Sequence, residues 1–396
     1  MDVLISGGGI AGLTAAHWLR RYGFAVTVVE RAPSLVTGGY KIDVRGAALD
    51  VLGRMGALDA VVASSTRMRE ALLVDREGHV IGRMGGDDFG HRVGEDLEIV
   101  RGELCEILLA RAPGIEVVFG DVIASIASSD DGVEVAFRDG RPRRFDLVVG
   151  ADGLHSNVRS LAFGDEARFV RDLGMYLCVY SVPNHLRLDR TEIQYSEVGR
   201  IAAIWSTGVD ADAKACFGFA GRGRRIDPHD RAQQEDALRK VYADVGWEVP
   251  LLLDRMPRAS DWYFDVAAQV DMAAWARGRV VLVGDAAYCT SPLSGQGSSL
   301  ALVGAYVLAG ELAATGGDHQ AAFAGYECEL RPFIAVNQAL GVESARFMTQ
   351  DPAEGPSELS ASQIESRIDH STQRIAAAST AITLKDHAAL GAGPGG

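Results

Sequence analysis

The chain has 396 residues, enough for two or three domains of roughly 150 residues each. Its 53 acidic residues outnumber the 39 basic ones, and the net charge of -14 without a basic cluster argues against nucleic-acid binding. Hydrophobic residues make up 47% of the chain, which excludes disorder, and the 46 glycines exceed the usual share of about 7%.

The first thirty residues predict a strand, a turn, a helix and a second strand. Residues 2–6 are apolar, Gly7-x-Gly9-x-x-Gly12 follows, and a helical pattern leads to a second apolar run that ends at Glu30. In such a unit the glycines permit a tight turn, close backbone approach to a diphosphate and helix–strand packing. The acidic residue can accept hydrogen bonds from ribose hydroxyls. The segment predicts dinucleotide binding and leaves NAD and FAD both open.

The middle of the chain predicts a change of architecture. Helices and strands alternate up to a buried strand at 145–149, and from about 170 to 270 strand-like segments surround one polar helix. The alternating pattern returns at 279–284, before a Pro/Gly-rich loop and a long apolar helix. We therefore predict an α/β protein in three parts. These are a discontinuous cofactor domain at 1–168 and 271–330, a β-rich domain at 169–270 and C-terminal helices at 331–390.

Two later motifs resemble those of a known family. The stretch GADGLHSNVR at 150–159 resembles the "DG" motif of the class A, single-component flavoprotein monooxygenases. The stretch GDAA at 284–287, with Pro292 and the Gly-Gln-Gly at 295–297, resembles their "GD" motif. This family includes para-hydroxybenzoate hydroxylase and the tetracycline-inactivating monooxygenases. The resemblance spans nearly the whole chain and implies a Rossmann-like FAD-binding domain interrupted by a β-rich substrate domain.

The resemblance also implies roles for single residues. Asp285 would hydrogen-bond the ribityl hydroxyls, and the loop after it would stabilise negative charge on the reduced flavin with backbone N–H groups. Arg101 resembles an arginine of the ribityl-phosphate region, and Asp43 a flavin-contacting aspartate. Taken alone, Asp152 also fits a turn and Asp285 a helix N-cap. The expected FAD-binding set is Gly7, Gly9, Gly12, Glu30, Arg31, Asp43, Arg101, Asp152, Gly284, Asp285, Pro292, Gly295, Gln296 and Gly297.

Three residues depart from the family's pattern. Tyr288 stands where a histidine is frequent, Ser294 where a glycine is usual, and Ser299 where an asparagine is usual. The backbone cradle stays possible with these residues, but the family's side-chain contacts at the three positions do not carry over.

The function implied by the resemblance is an FAD-dependent monooxygenase that hydroxylates an aromatic or polycyclic substrate of natural-product or antibiotic type. NADPH or NADH, bound transiently, would reduce the flavin, O₂ would add at C4a, and the hydroperoxyflavin would transfer one oxygen atom. Two alternatives stay open: a flavin oxidase or dehydrogenase, and a non-redox FAD-binding cyclase. We expect Tyr195, Trp205 and Phe217 of the β-rich domain to contribute to the substrate pocket.

Cysteines and histidines predict neither disulfides nor a metal site. The five cysteines are far apart without a C-x-x-C pair, and the nine histidines show no H-x-x-x-H or H-E-x-x-H spacing. The longest apolar stretch, 300–310, is about half of the ~20 residues that cross a bilayer. We therefore expect a cytoplasmic protein with no membrane partner. The sequence leaves the oligomeric state open.

Overall fold

The computed structural model describes residues 1–350 and 361–387. The predicted C-terminal helical part is therefore described except for 351–360 and 388–390.

Strands and helices alternate through most of the described chain. The strands are β1 (Asp2–Ser6), β2 (Ala25–Glu30), β3 (Lys41–Val44), β4 (Glu70–Val74), β5 (Val80–Gly85), β6 (Leu97–Val100), β7 (Glu116–Phe119), β8 (Ile123–Ser129), β9 (Gly132–Phe137), β10 (Arg143–Phe145), β11 (Leu147–Gly150), β12 (Val170–Val182), β13 (Thr191–Glu197), β14 (Arg200–Ser206), β15 (Ala213–Ala220), β16 (Tyr263–Val270), β17 (Ala276–Arg277) and β18 (Val280–Leu282). The helices are α1 (Ile10–Arg21), α2 (Ala47–Arg54), α3 (Leu58–Ala63), α4 (Gly86–Phe89), α5 (Arg101–Ala110), α6 (Asn157–Phe163), α7 (Arg231–Val241), α8 (Val249–Arg255), α9 (Asp285–Tyr288), α10 (Gly297–Ala314), α11 (His319–Met348) and α12 (Ala361–Ser379).

A six-stranded sheet forms the centre of the cofactor half, in the order β17-β18-β11-β1-β2-β7. Neighbouring strands in this sheet are parallel, except that β17 at one edge is antiparallel to β18. Strand β1 is apolar because neighbouring strands cover both its edges and helices cover its faces, and Val3, Leu4 and Ile5 are fully buried. The predicted βαβ unit is thus the middle of a Rossmann-like sheet.

A seven-stranded sheet forms the second half, in the order β16-β12-β15-β14-β13-β4-β5. Its strands β12 to β16 come from the segment predicted to be β-rich. Strands β4 and β5 come from residues 70–85, and β4 pairs in parallel with β13. The single boundary predicted at 169 therefore divides a sheet that the chain enters twice.

The long apolar helix of the sequence is α10. By length and composition it could cross a membrane, yet 78% of it is buried inside the protein. It packs on α1 and α11 and is buried on all sides, as a core helix is. The side chain of Asp318 caps the start of α11, and the Asn337 amide of α11 donates to the Ala378 carbonyl at the end of α12.

Candidate functional site

A groove of about 810 Å³ lies between the six-stranded sheet and one face of the seven-stranded sheet. The glycine turn after β1, the DG segment after β11 and the GD loop after β18 all line it. Because these three strands are parallel neighbours or near neighbours, their carboxyl ends meet at one edge of the sheet. The fold thus brings together three motifs that are about 140 residues apart in the sequence.

The glycine turn permits no side chains at its closest contacts. A Cβ on Gly12 would lie 1.9 Å from the Gly7 carbonyl oxygen, and one on Gly7 would lie 2.4 Å from the Ala151 carbonyl oxygen. Gly7 also has a φ of +108°, which side chains rarely allow. Helix α1 begins with Gly9 at its N-cap and no side-chain cap, so its first N–H groups remain available to a ligand.

Glu30 ends β2 beside this turn. Its carboxylate accepts hydrogen bonds from the backbone N–H groups of Gly8 and Ala32, each at 2.7 Å. Both oxygens are thereby fixed at the groove wall, and each keeps a lone pair for a ribose hydroxyl. The next residue, Arg31, lines the groove with an exposed side chain.

Arg101 begins α5 and lines the groove. One guanidinium nitrogen lies 3.4 Å from the point that a Cβ on Gly9 would occupy. Within the described chain this guanidinium makes no hydrogen bond and no ion pair. A half-buried cation without a partner, next to free helix N–H groups, is suited to an anionic ligand.

Asp152 lies at the groove edge but its oxygens are occupied by the protein. Oδ1 accepts the Ser156 hydroxyl at 2.5 Å, and Oδ2 accepts the Val158 N–H at 3.0 Å. Burial raises the pKa of this carboxyl, and these hydrogen bonds oppose the rise. Asp152 therefore organises the start of α6.

Asp43 also lines the groove, and two arginines hold it. Arg45 lies 2.8 Å from one carboxylate oxygen, and Arg92 lies 3.2 Å from the other. Its contact with a ligand would add to an ion-pair cluster that already exists.

The GD loop offers polar groups that the described protein does not satisfy. The Asp285 side chain opens into the groove with protein on its other sides, and burial raises its pKa, against the Cys289 thiol and Arg101. The Gln296 Nε2 donates to the Ile375 carbonyl, while its buried Oε1 has no partner in the described chain. Gly295, which has a positive φ, brings backbone to the groove wall with Pro292 and Gly297. Gly284 also has a positive φ but does not line the groove; a Cβ there would lie 2.9 Å from the Ala11 Cβ.

The three residues that depart from the family's pattern belong to the protein's own network. Tyr288 is buried behind the loop, 3.3 Å from the Tyr326 hydroxyl. The Ser294 hydroxyl bonds within the loop, to Thr290 among others, at 2.9 Å. The Ser299 hydroxyl accepts the Arg45 N–H at 3.0 Å.

Arg159 connects the DG and GD motifs, a function that its position in the sequence does not disclose. It is fully buried, and its guanidinium donates to the Ala286 carbonyl at 3.0 Å and to the Leu154 carbonyl at 2.6 Å. It also pairs with Glu166 at 3.0 Å. In the sequence, the one indication of this role is that Arg159 is the last residue of the DG motif.

One of the three aromatic residues expected at the substrate pocket lines the groove. Trp205 does, whereas Tyr195 and Phe217 point to the opposite face of the sheet, into the core against α7 and α8. Their placement follows from alternation along each strand, because Tyr195 is three residues from Glu192 and Phe217 is next to Cys216, and Glu192 and Cys216 both line the groove. The expectation for Tyr195 and Phe217 is therefore wrong.

Two polar residues of the groove were not predicted. Lys41 on β3 and Glu192 on β13 form an ion pair at 2.6 Å in the groove wall. Pairing residues 191–197 with 200–206 as a hairpin could have found Glu192, because this register places it opposite Trp205 on one face.

Among the described residues, side chains that could bind a metal ion cluster in two places outside the groove. One group is exposed (Asp75, Glu77, His79), and the other is buried (Glu311, Glu329, His387). In the buried group the Lys385 ammonium lies 2.6 Å from one carboxylate and 2.8 Å from the other. A cation of the protein thus already offsets part of the negative charge of this group.

Comparisons with known proteins agree on one family. Residues 1–336 match the family described as FAD binding domain. A flavin-dependent monooxygenase of Legionella longbeachae is 38% identical over 388 residues, covering 98% of this chain and 98% of that protein. Another, from an unknown prokaryotic organism, is 43% identical over 366 residues, covering 92% and 93%. The crystal structure of the tetracycline destructase Tet(55) matches with a TM-score of 0.89 and 40% identity, covering 97% of this chain and 98% of that chain.

Proposed function

Because the chain belongs to the class A flavin-dependent monooxygenases and uses FAD, we propose that it hydroxylates a polycyclic, tetracycline-like compound with O₂ and NADPH or NADH. One observation carries the proposal: the three cofactor motifs and the apolar face of a second sheet line the same groove. The relatives' names supply the substrate class, since Tet(55) is a tetracycline destructase at 40% identity.

The groups that the described protein leaves unsatisfied support the way FAD would be held. The uncapped start of α1 and the unpaired Arg101 suit the diphosphate, and Glu30 suits a ribose. Asp285 and the buried Gln296 Oε1 offer acceptors for ribityl and ring groups. The bound cofactor supplies the redox chemistry and the activation of O₂.

The protein's own residues position and enclose the reactants. The start of α10 at Gly297 directs N–H groups to the groove, where negative charge on a flavin would be stabilised. Arg159 holds the GD loop against the DG segment, and Asp152 holds the start of α6. Leu177, Val179 and Trp205 give the opposite wall an apolar surface that excludes water from the reaction. All five cysteines are free, which suits the proposed cytoplasmic location.

The experiment is a purification followed by a visible spectrum and turnover in ¹⁸O₂ with tetracycline and NADPH or NADH. We expect a yellow protein, substrate-dependent oxidation of the nicotinamide, and one ¹⁸O atom per product molecule. Oxidised product without ¹⁸O would indicate an oxidase or dehydrogenase. Conversion without nicotinamide oxidation would indicate the cyclase alternative.

A matched pair of variants tests the cofactor assignment. Arg101→Met should lower the flavin content of the purified protein, because it removes a groove cation that has no partner in the described chain and lies beside the start of α1. Arg141→Met removes an exposed arginine that makes no side-chain hydrogen bond in the described chain, and should leave it unchanged. Equal flavin in both variants would contradict the role of Arg101.

A further inference from the structure

We propose that Lys41 and Glu192 are the substrate-recognition pair of the groove, and that the substrate presents to them a hydroxyl beside a carbonyl. Enolised β-dicarbonyls and aryl ketones with a neighbouring phenol have this arrangement. The inference rests on the proposed function and adds the functional group by which the substrate is recognised.

Two charged places interrupt the apolar wall: Asp265 of β16, which pairs with His155, and the Lys41–Glu192 pair at Trp205. Glu192 of β13 is directly opposite Trp205 of β14, so both face the groove. The Lys41 ammonium lies 5.3 Å above the Trp205 ring centre. On β12, beyond β15 in the same sheet, Leu177 and Val179 present only hydrocarbon. A planar ring against Trp205 would therefore have Lys41 and Glu192 as its adjacent charged partners.

The pair has one donor and one acceptor to spare. Lys41 Nζ lies 2.6 Å from Glu192 Oε2 and 3.3 Å from Glu98 Oε2. An ammonium has three N–H groups, so one remains after these two contacts. No residue in the described ranges donates to Glu192 Oε1. A carbonyl can accept from Lys41 while the adjacent hydroxyl donates to Glu192.

A line of alternating charges keeps Lys41 ionised and in place. It continues behind Lys41 through Glu98, Arg92 and Asp43 to Arg45. Burial alone would lower the pKa of Lys41, but Glu192 and Glu98 outweigh burial and raise it. The Thr66 hydroxyl fixes Glu98 at 2.5 Å. The recognition groups are thus preorganised, which lowers the entropy cost of binding.

A structural role for the pair is the competing explanation. Lys41 belongs to the cofactor half and Glu192 to the seven-stranded sheet, so their bond also joins the two halves. A buried ion pair is, however, weak evidence for stability, because desolvation offsets much of the attraction. Binding selectivity separates the two roles, since a purely structural bond would not distinguish isomeric ligands.

The test compares two isomers on the FAD-loaded protein without a reductant, by isothermal titration calorimetry. 1-Hydroxyanthraquinone has its hydroxyl beside a carbonyl, and 2-hydroxyanthraquinone has the same ring system with the hydroxyl apart. We expect the wild type to bind the 1-isomer about tenfold more tightly, as for one hydrogen bond to a charged group. Glu192→Gln should abolish this preference. Glu197→Gln changes a carboxylate of the same strand outside the groove and should retain it.

Three results would overturn the inference: equal binding of the isomers by the wild type, binding of neither, or a preference that persists in Glu192→Gln. Melting temperature and flavin content verify that each variant is folded. The wild-type comparison needs no variant and so does not depend on folding. No oxygen is transferred in this assay, so a failure of the proposed oxygenation would leave its result standing, and the reverse also holds.

Discussion

Replacing Arg159 with leucine should destabilise the protein and weaken its hold on FAD. The guanidinium is the bridge between the DG segment and the GD loop, through the carbonyls of Leu154 and Ala286. Leucine fills part of the volume and donates nothing. The two segments would keep their strands but lose the bond that sets the distance between them.

The magnitude follows from the partners that are lost and one that is gained. Each buried carbonyl left without its donor costs about 1–3 kcal/mol. The pair with Glu166 adds little, about 1 kcal/mol or less, because Glu166 is one-third exposed and keeps His155. Leucine also removes the Arg159 Nε, which is buried without a partner in the described chain, and this offsets about 1–2 kcal/mol. With each contribution near the middle of its range, the net loss is about 3 kcal/mol.

Urea denaturation at fixed FAD concentration measures this loss, and flavin fluorescence on dilution measures FAD release. Arg171→Leu is the matched control, since Arg171 is exposed and makes no side-chain hydrogen bond in the described part of the chain. We expect the control to stay within about 0.5 kcal/mol of the wild type. A loss below about 1 kcal/mol in Arg159→Leu, with wild-type FAD release, would refute the reasoning.

Three further changes probe the glycine turn, a titrating contact and the sheet. Gly12→Ala places a Cβ 1.9 Å from a carbonyl oxygen, so the 450 nm absorbance per protein should fall, and full flavin content would contradict it. The hydrogen bond with Asp265 is the main reason that the pKa of His155 is raised to about 9. The stabilisation of the fold by protonated His155 is therefore complete below pH 6.5 and is lost as the pH rises through 9. The melting-temperature gap between wild type and His155→Gln should close over that range; a constant gap would exclude the linkage. Trp205→Leu should weaken substrate binding, whereas Phe217→Ala should cost about 3–5 kcal/mol of stability. If Phe217→Ala instead weakened binding and Trp205→Leu lowered stability, the assignment of Trp205 to the groove and Phe217 to the core would be wrong.

The sequence predicted the first strands and turns of the cofactor half well, because these depend largely on residues that are close together in the chain. Gly12 must be glycine because of the Gly7 carbonyl five residues before it, and Asp285 follows a buried strand whose end is defined by its sequence. The sequence does not show which face of a strand packs into the core and which lines the groove. Phe217 and Trp205 are both aromatic, and only the packing of α7 and α8 decides which face is core.

Long-range pairing explains the other differences from prediction. Asp43 is followed in sequence by Arg45, but its second partner, Arg92, comes from a loop 49 residues away. Lys41 meets Glu192 across 151 residues. The periodicity of the sequence cannot predict such partners, because they depend on how two sheets lie against each other.

The double entry of the chain into the seven-stranded sheet affects how the protein is made and recombined. During synthesis β4 and β5 emerge over 100 residues before β13, so β4 has an open edge until its parallel partner arrives. The same arrangement governs the design of chimeras. A graft of residues 169–270 from a relative would leave the recipient's β4 against a foreign β13, and a working exchange must carry residues 70–85 as well.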